Sequence, residues 1–264
     1  MGKGRLNAYL RHGHELVKGW LSPGALRAIV LLSDEQRRLN ISGGGAEIGV
    51  HHGKLFILLY LLGAENEAAV AIDLFSRQDL NVDRSGAGDL ERFKRNLQRH
   101  ADTSRLVIHE GDSTQLTAGQ LLELGRGHFR LISIDGGHTA EITAHDLATA
   151  EGALAQGGII ILDDCFNEEW PGVSEGVHRY FSELRNIVPF GVGANKTFFC
   201  HAAFAEQYAG VLTKMDLKAA TQEFLGASVV CFEFKPWTIA GWFRKVDAGR
   251  AIRLAYHDVL SRLG

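Results

Sequence analysis

The chain has 264 residues, 45% of them hydrophobic and 22% charged, with a formal net charge of −3. That composition supplies ample core, excludes disorder, and gives no bulk electrostatic reason to bind nucleic acid or an anionic membrane. Cys165, Cys200 and Cys231 form no CxxC pair, which argues against a disulfide framework or structural zinc, and no long apolar run or leader-like segment is present, so the expectation is a cytoplasmic protein.

Residues 1–40 carry two amphipathic helices, marked by Leu6, Tyr9, Leu10, Leu16 and Trp20 and, beyond the break at Ser22-Pro23-Gly24, by Leu26, Ile29, Val30, Leu31 and Leu32. Apolar runs then alternate with helical stretches: strands at 46–50, 68–75, 105–109, 129–135 and 158–163, and helices at 54–62, 89–100, 118–124, 140–154 and 174–184. Strands separated by helices imply a parallel sheet with right-handed crossovers. Two further strand-like runs, 187–192 and 196–201, flank Gly193-Ala194-Asn195 and read as an antiparallel hairpin closing the sheet, with Asn195-Lys196 expected in an exposed turn in preference to reaching the site. The remainder is mixed: helices at 205–212 and 217–224, a strand at 228–234 and a helix at 248–263. The expected organisation is an N-terminal helical cap at 1–40, an α/β domain at 41–203 and an appendage at 204–264 that serves as a cap or an oligomer contact.

Three carboxylates end buried runs of this sheet. Asp135 follows Phe129-Arg130-Leu131-Ile132-Ser133-Ile134, and Asp163-Asp164 follow Gly157-Gly158-Ile159-Ile160-Ile161-Leu162. All three project from the carboxyl edge, where open α/β sheets bind ligands. Two bare carboxylates about 4 Å apart repel by about 4 kcal/mol at an effective dielectric of about 20, so a divalent cation, a shared proton or a basic neighbour must resolve their convergence. Upstream, Glu47-Ile48-Gly49-Val50-His51-His52-Gly53 puts an acid and two glycines in a strand-to-helix turn, where glycine lets backbone approach a ligand closely. A nicotinamide oxidoreductase can use a similar turn, but Ser42-Gly43-Gly44-Gly45 follows polar residues instead of an apolar strand, and Glu47 would repel a pyrophosphate. Asp73, ending the second strand, suits ribose hydroxyls, and Asp112-Ser113 after the third suits an adenine edge.

Taken in order, Glu47-x-Gly49-x-x-x-Gly53, Asp73, Gly111-Asp112-Ser113 and Ile134-Asp135-Gly136-x-His138 resemble a class I S-adenosylmethionine-dependent methyltransferase over about residues 40–203. Asp135-Gly136-Gly137-His138 with Gly158-Ile159-Ile160-Ile161-Leu162-Asp163-Asp164 is similar to the metal-dependent O-methyltransferases of the catechol and antibiotic-sugar types. The resemblance implies an α/β, Rossmann-like seven-stranded sheet, mostly parallel with a C-terminal antiparallel hairpin and helices on both faces. It implies S-adenosylmethionine held by Glu47, Gly49, Gly53, Asp73, Asp112, Ser113 and Asp135, and methyl transfer to a small hydroxylated acceptor such as a sugar or polyphenol. Asp135, Asp163 and Asp164 form the all-oxygen set that magnesium prefers and manganese accepts. His138 stands where catechol-type enzymes carry a lysine base, and Gly137 where some sugar-modifying relatives carry an acidic one, so His138 is the candidate base, with Asp135 beside it in the catalytic set.

Blander readings stand beside these. Asp164 could cap the following loop and leave Asp163 the sole ligand, the site could work without metal, and His138 could hydrogen-bond backbone or cofactor. His51 and His52 read as loop residues, and Glu141, His145 and Asp146 as solvated or packing charges on one helix. The stretch 76–88 is long for a connection and reads as a lid or a surface insertion, and 166–173 as a second candidate wall, where Trp170 either stacks on a ring or covers the loop. A nicotinamide oxidoreductase and a non-catalytic binding protein remain as rivals. Appended apolar helices point to a homo-oligomer.

Overall fold

A computed structural model describes residues 2–215 and 219–232, so the helix expected at 248–263 and the last residues of the strand expected at 228–234 lie outside the described residues. Two helices come first, α1 (Gly2–Arg11) and α2 (Pro23–Arg38). α2 starts where Ser22 accepts the Ala25 N–H at 3.2 Å and Pro23 presets the first turn. The alternating region follows as β1 (Gly44–Ile48), α3 (Lys54–Leu62), β2 (Ala69–Asp73), α4 (Leu90–His100), β3 (Leu106–Glu110), α5 (Ala118–Gly125), β4 (Phe129–Ile134), α6 (Ala140–Ala153), β5 (Leu154–Asp163) and α7 (Pro171–Tyr180). Asp89, Thr117 and Thr139 cap α4, α5 and α6 with side-chain oxygens, which fixes where each crossover turns back toward the sheet. β6 (Ile187–Gly193), β7 (Lys196–His201), α8 (Ala202–Met215), β8 (Ala220–Phe224) and β9 (Ala227–Phe232) complete the described chain.

The strands form one sheet in the order β3-β2-β1-β4-β5-β7-β6-β9-β8. β1 to β5 are parallel, β7 is antiparallel to both β5 and β6, β9 runs parallel to β6 and β8 antiparallel to β9. Nine strands among the described residues correct the expected seven. The two additional strands are β9, from the run expected as an appendage strand at 228–234, and β8, from 217–224, expected as helix: Leu225 (φ 51°) and Gly226 (φ 72°) make a two-residue turn with positive φ at both positions, and Phe224 pairs with Ala227 across it. Residues 220–232 thereby extend the sheet past β6.

Successive strand residues face two cores. Leu131, Ile159 and Ile161 join the side packed by α1 to α4 and α8, while Ile132, Ile134, Ile160 and Leu162 join the side packed by α5, α6 and α7. Helices therefore cover both faces, and ligands are left the carboxyl edge. The strand order reverses between β1 and β4, which opens a crevice there.

Candidate active site

A cavity of about 770 Å³ lies over that reversal point. Its floor starts at Gly49, whose φ of 85° and contact with the next strand admit no side chain: a β-carbon there would lie 1.8 Å from the Asp135 carbonyl oxygen. Gly53, with φ 87°, caps α3 and packs on the Phe93 ring, and it does not line the cavity. Glu47 does not line it either. It is 3% exposed beneath the floor, its Oε2 has no hydrogen-bond partner among the described residues, and burial and then Asp135 hold its carboxyl well above the ordinary range.

Asp73 lines the cavity, with Oδ2 accepting the His51 N–H at 2.7 Å and Oδ1 the Phe75 N–H at 2.6 Å. Burial raises its pKa against those backbone bonds. Asp112 and Ser113 line the same cavity, and the Asp112 Oδ1 caps the short turn 113–115 through the Thr114 N–H at 2.9 Å and hydroxyl at 2.8 Å.

At the other end, Asp135, His138 and Asp164 converge. His138 Nε2 lies 3.4 Å from Asp164 Oδ2 and 3.9 Å from Asp135 Oδ1, and one ligand atom from each of the three falls within 4.8 Å of the others. Asp164 takes a left-handed backbone (φ 61°), a costly conformation for a non-glycine residue. Burial opposes its charge, but His138, Asn167 (2.6 Å to Oδ1) and Asn195 (2.8 Å to Oδ1) outweigh it and hold its pKa at about 2. Burial also opposes a charge on His138, yet Asp135, Asp164 and Asp83 push its pKa up to about 10.

Asp163 also lines the cavity, but its carboxylate is already engaged. Register places it opposite Lys196 on β7, whose ammonium binds its Oδ2, and Asn195 Nδ2 donates to its Oδ1 at 2.9 Å. Burial disfavours a charged Lys196, but Asp163 and then Asp135 raise its pKa. Lys196 is 4% exposed, which corrects the exposed turn expected there. The hairpin register supplies the reason, since a side chain paired with the end of β5 points where Asp163 points. Asp146, grouped by sequence with solvated or packing charges, is buried between α6 and the loop after β4, where Gly136 approaches its carboxylate.

The segment 76–88 lies along the cavity and brings a residue the sequence did not single out as a partner of His138. Asp83 Oδ2 accepts both the His138 backbone N–H at 2.7 Å and a ring bond from Nδ1 at 2.8 Å. Trp170 stacks on a face of the same ring, with centroids 4.2 Å apart. Trp20, 70% exposed, tilts over His51 at the mouth, so His51 forms part of the wall. No helix among the described residues is long and apolar enough to cross a membrane.

Residues 46–165 match the protein family described as "Methyltransferase domain". Among solved structures, the O-methyltransferase NovP aligns with TM-score 0.56 at 15% identity over 74% of this chain and 88% of its own. A protein from Corynebacterium glutamicum aligns with TM-score 0.51 at 14% identity over 75% and 89%. The O-methyltransferase from Bacillus cereus, in complex with SAH, aligns with TM-score 0.50 at 16% identity over 74% and 89%. At these identities the likeness carries the fold. No curated protein matches the chain in sequence. The family match bears out the resemblance to class I S-adenosylmethionine-dependent methyltransferases read from the motifs, and with it the assignment as a methyltransferase enzyme.

Proposed function

We propose that this chain, which carries a methyltransferase domain at residues 46–165, moves a methyl group from S-adenosylmethionine to a hydroxyl of a small molecule. The observation that carries the reading is one cavity lined at one end by Gly49, Asp73, Asp112 and Ser113 and at the other by Asp135, His138 and Asp164. Asp73 would grip the ribose hydroxyls and Asp112-Ser113 the adenine edge, while Gly49 leaves room for the methionine end. Glu47 and Gly53 would act from beneath, by shaping the turn.

In-line methyl transfer depends on positioning, so the task of these residues is to hold the acceptor oxygen behind the methyl carbon. Two carboxylates and an imidazole within 4.8 Å fit a divalent cation, with Asp135 and Asp164 as its ligands and Asp163 supporting Asp164 through Asn195. Such a cation, magnesium or manganese, would supply positive charge that lowers the pKa of an acceptor hydroxyl. Neutralising Asp135 and Asp164 would also bring His138 down from a pKa of about 10 toward the range where Nε2 accepts a proton. A second reading has its own support: the same Nε2 lies close enough to both carboxylates to be a third ligand, which would favour manganese over magnesium.

The test combines calorimetry with S-adenosylhomocysteine and a methyl-transfer assay over hydroxylated sugars and catechols. Asp164→Ala is expected to retain cofactor binding and lose turnover, and a chelator to act like the substitution. Activity indifferent to both would remove the metal from the mechanism. Loss of manganese affinity in His138→Gln would favour the ligand reading.

A further inference from the structure

We infer that Asp83 is a positioning residue for His138, delivered by the 76–88 segment to fix the imidazole with Nδ1 as donor and Nε2 turned toward Asp135 and Asp164. The inference rests on the reading that His138 serves the methyl transfer, and it names a residue outside every methyltransferase motif of the chain.

The geometry leaves the ring little choice. Asp83 Oδ2 accepts from the His138 backbone N–H at 2.7 Å and lies 2.8 Å from ring Nδ1. An ionised carboxylate only accepts hydrogen bonds, so Nδ1 carries a proton whatever the charge of the ring. The one nitrogen left to exchange a proton is Nε2, which faces Asp164 Oδ2 at 3.4 Å and Asp135 Oδ1 at 3.9 Å. Trp170, stacked on the ring, blocks rotation out of that plane. Both side chains of the pair are 10% exposed, so water competes weakly for the contact.

Asp83 is itself held in place. Its second oxygen, Oδ1, accepts the Ser85 N–H at 2.8 Å and hydroxyl at 2.7 Å, and Asn81 Nδ2 donates to the Ser85 carbonyl at 2.7 Å. The Ser85 hydroxyl also approaches His138 Nδ1 at 3.2 Å. This turn belongs to the segment whose far end, Gly88, packs against Asp73: a β-carbon on Gly88 would lie 2.6 Å from Asp73 Oδ1. One stretch of chain thus lies on the proposed ribose carboxylate and holds the proposed base.

Partners that orient histidines in metal sites contribute about 10- to 100-fold, and an effect of that scale is expected here. The experiment compares wild type, Asp83→Ala, Asp83→Asn and His138→Gln. Isotope-labelled protein should show a downfield, slowly exchanging Nδ1–H resonance in the imidazole spectrum, assigned by its loss in His138→Gln. Asp83→Ala is expected to abolish it, and Asp83→Asn, whose amide oxygen still accepts, to keep it at a shifted position. Absence of the signal from the wild type, or its survival in Asp83→Ala, overturns the proposal. With 3,4-dihydroxybenzaldehyde as acceptor probe, Asp83→Ala should lower kcat by about 10- to 100-fold with the KM for S-adenosylmethionine within about twofold, and Asp83→Asn should recover most of it. An unchanged kcat, or a loss confined to KM, also overturns it. Calorimetry with S-adenosylhomocysteine separates the two levels: a wild type that binds none defeats the methyltransferase reading, while the imidazole spectrum still decides what Asp83 does.

Discussion

Gly49 leaves the floor of the site no latitude. Its positive φ and the 1.8 Å approach of a notional β-carbon to the Asp135 carbonyl mean that Gly49→Ala must push β1 and β4 apart at their carboxyl ends. The expected cost is at least about 2 kcal/mol in urea unfolding, together with weaker cofactor binding. Lys196→Met leaves Asp163 buried without its partner and should cost about 3–5 kcal/mol, part of which a second change, Asp163→Asn, restores. Asp83 gives a pH signature. Burial raises its pKa, but Ser85 and His138 outweigh that and hold it at about 2. Its folded pKa lies below its unfolded value, so its contribution is complete above about pH 4 and disappears as pH falls toward about 2. Wild type should lose on the order of 1–2 kcal/mol over that interval relative to Asp83→Asn, measured by thermal unfolding from pH 2 to 5. Asp135, His138 and Asp164 were legible because each sits just past an apolar strand. Asp83 was not, because a contact across 55 positions between two loops leaves no periodicity in the chain. Lys196 was legible only through a register that the turn Ala194-Asn195 sets.

Among the elements, the buried strands wrote themselves plainly into the sequence. β4 and β5 are covered on both faces and therefore appear as near-continuous apolar runs. The capped helices were equally plain, and α3 lies at the bounds its pattern gave. β8 was misread because its residues are mostly exposed, so no alternating apolar face marks Ala220–Phe224 as strand. The extension is nonetheless built into the core: Phe232 on β9 packs 6.0 Å from the Phe198 ring and is nearly fully buried, and its backbone closes on Gly193. Phe232→Ala should therefore cost about 3–5 kcal/mol in urea unfolding, as a core truncation does.

At the scale of the whole molecule, two cores clamp one sheet and leave its carboxyl edge as the place for chemistry. Ligand that binds only this folded arrangement must stabilise all of it. S-adenosylhomocysteine at about 100 times its Kd is expected to add about 2.7 kcal/mol, read as a rise in Tm, and reduced nicotinamide dinucleotide to add nothing. The segment 76–88 has a consequence for the order of events. Because it rests on Asp73 at one end and grips His138 at the other, a donor held as proposed is expected to exchange only when His138 is released. Turnover should then run as a compulsory sequence, with donor first in and spent donor last out. S-adenosylhomocysteine should compete with S-adenosylmethionine but not with the acceptor in product-inhibition kinetics.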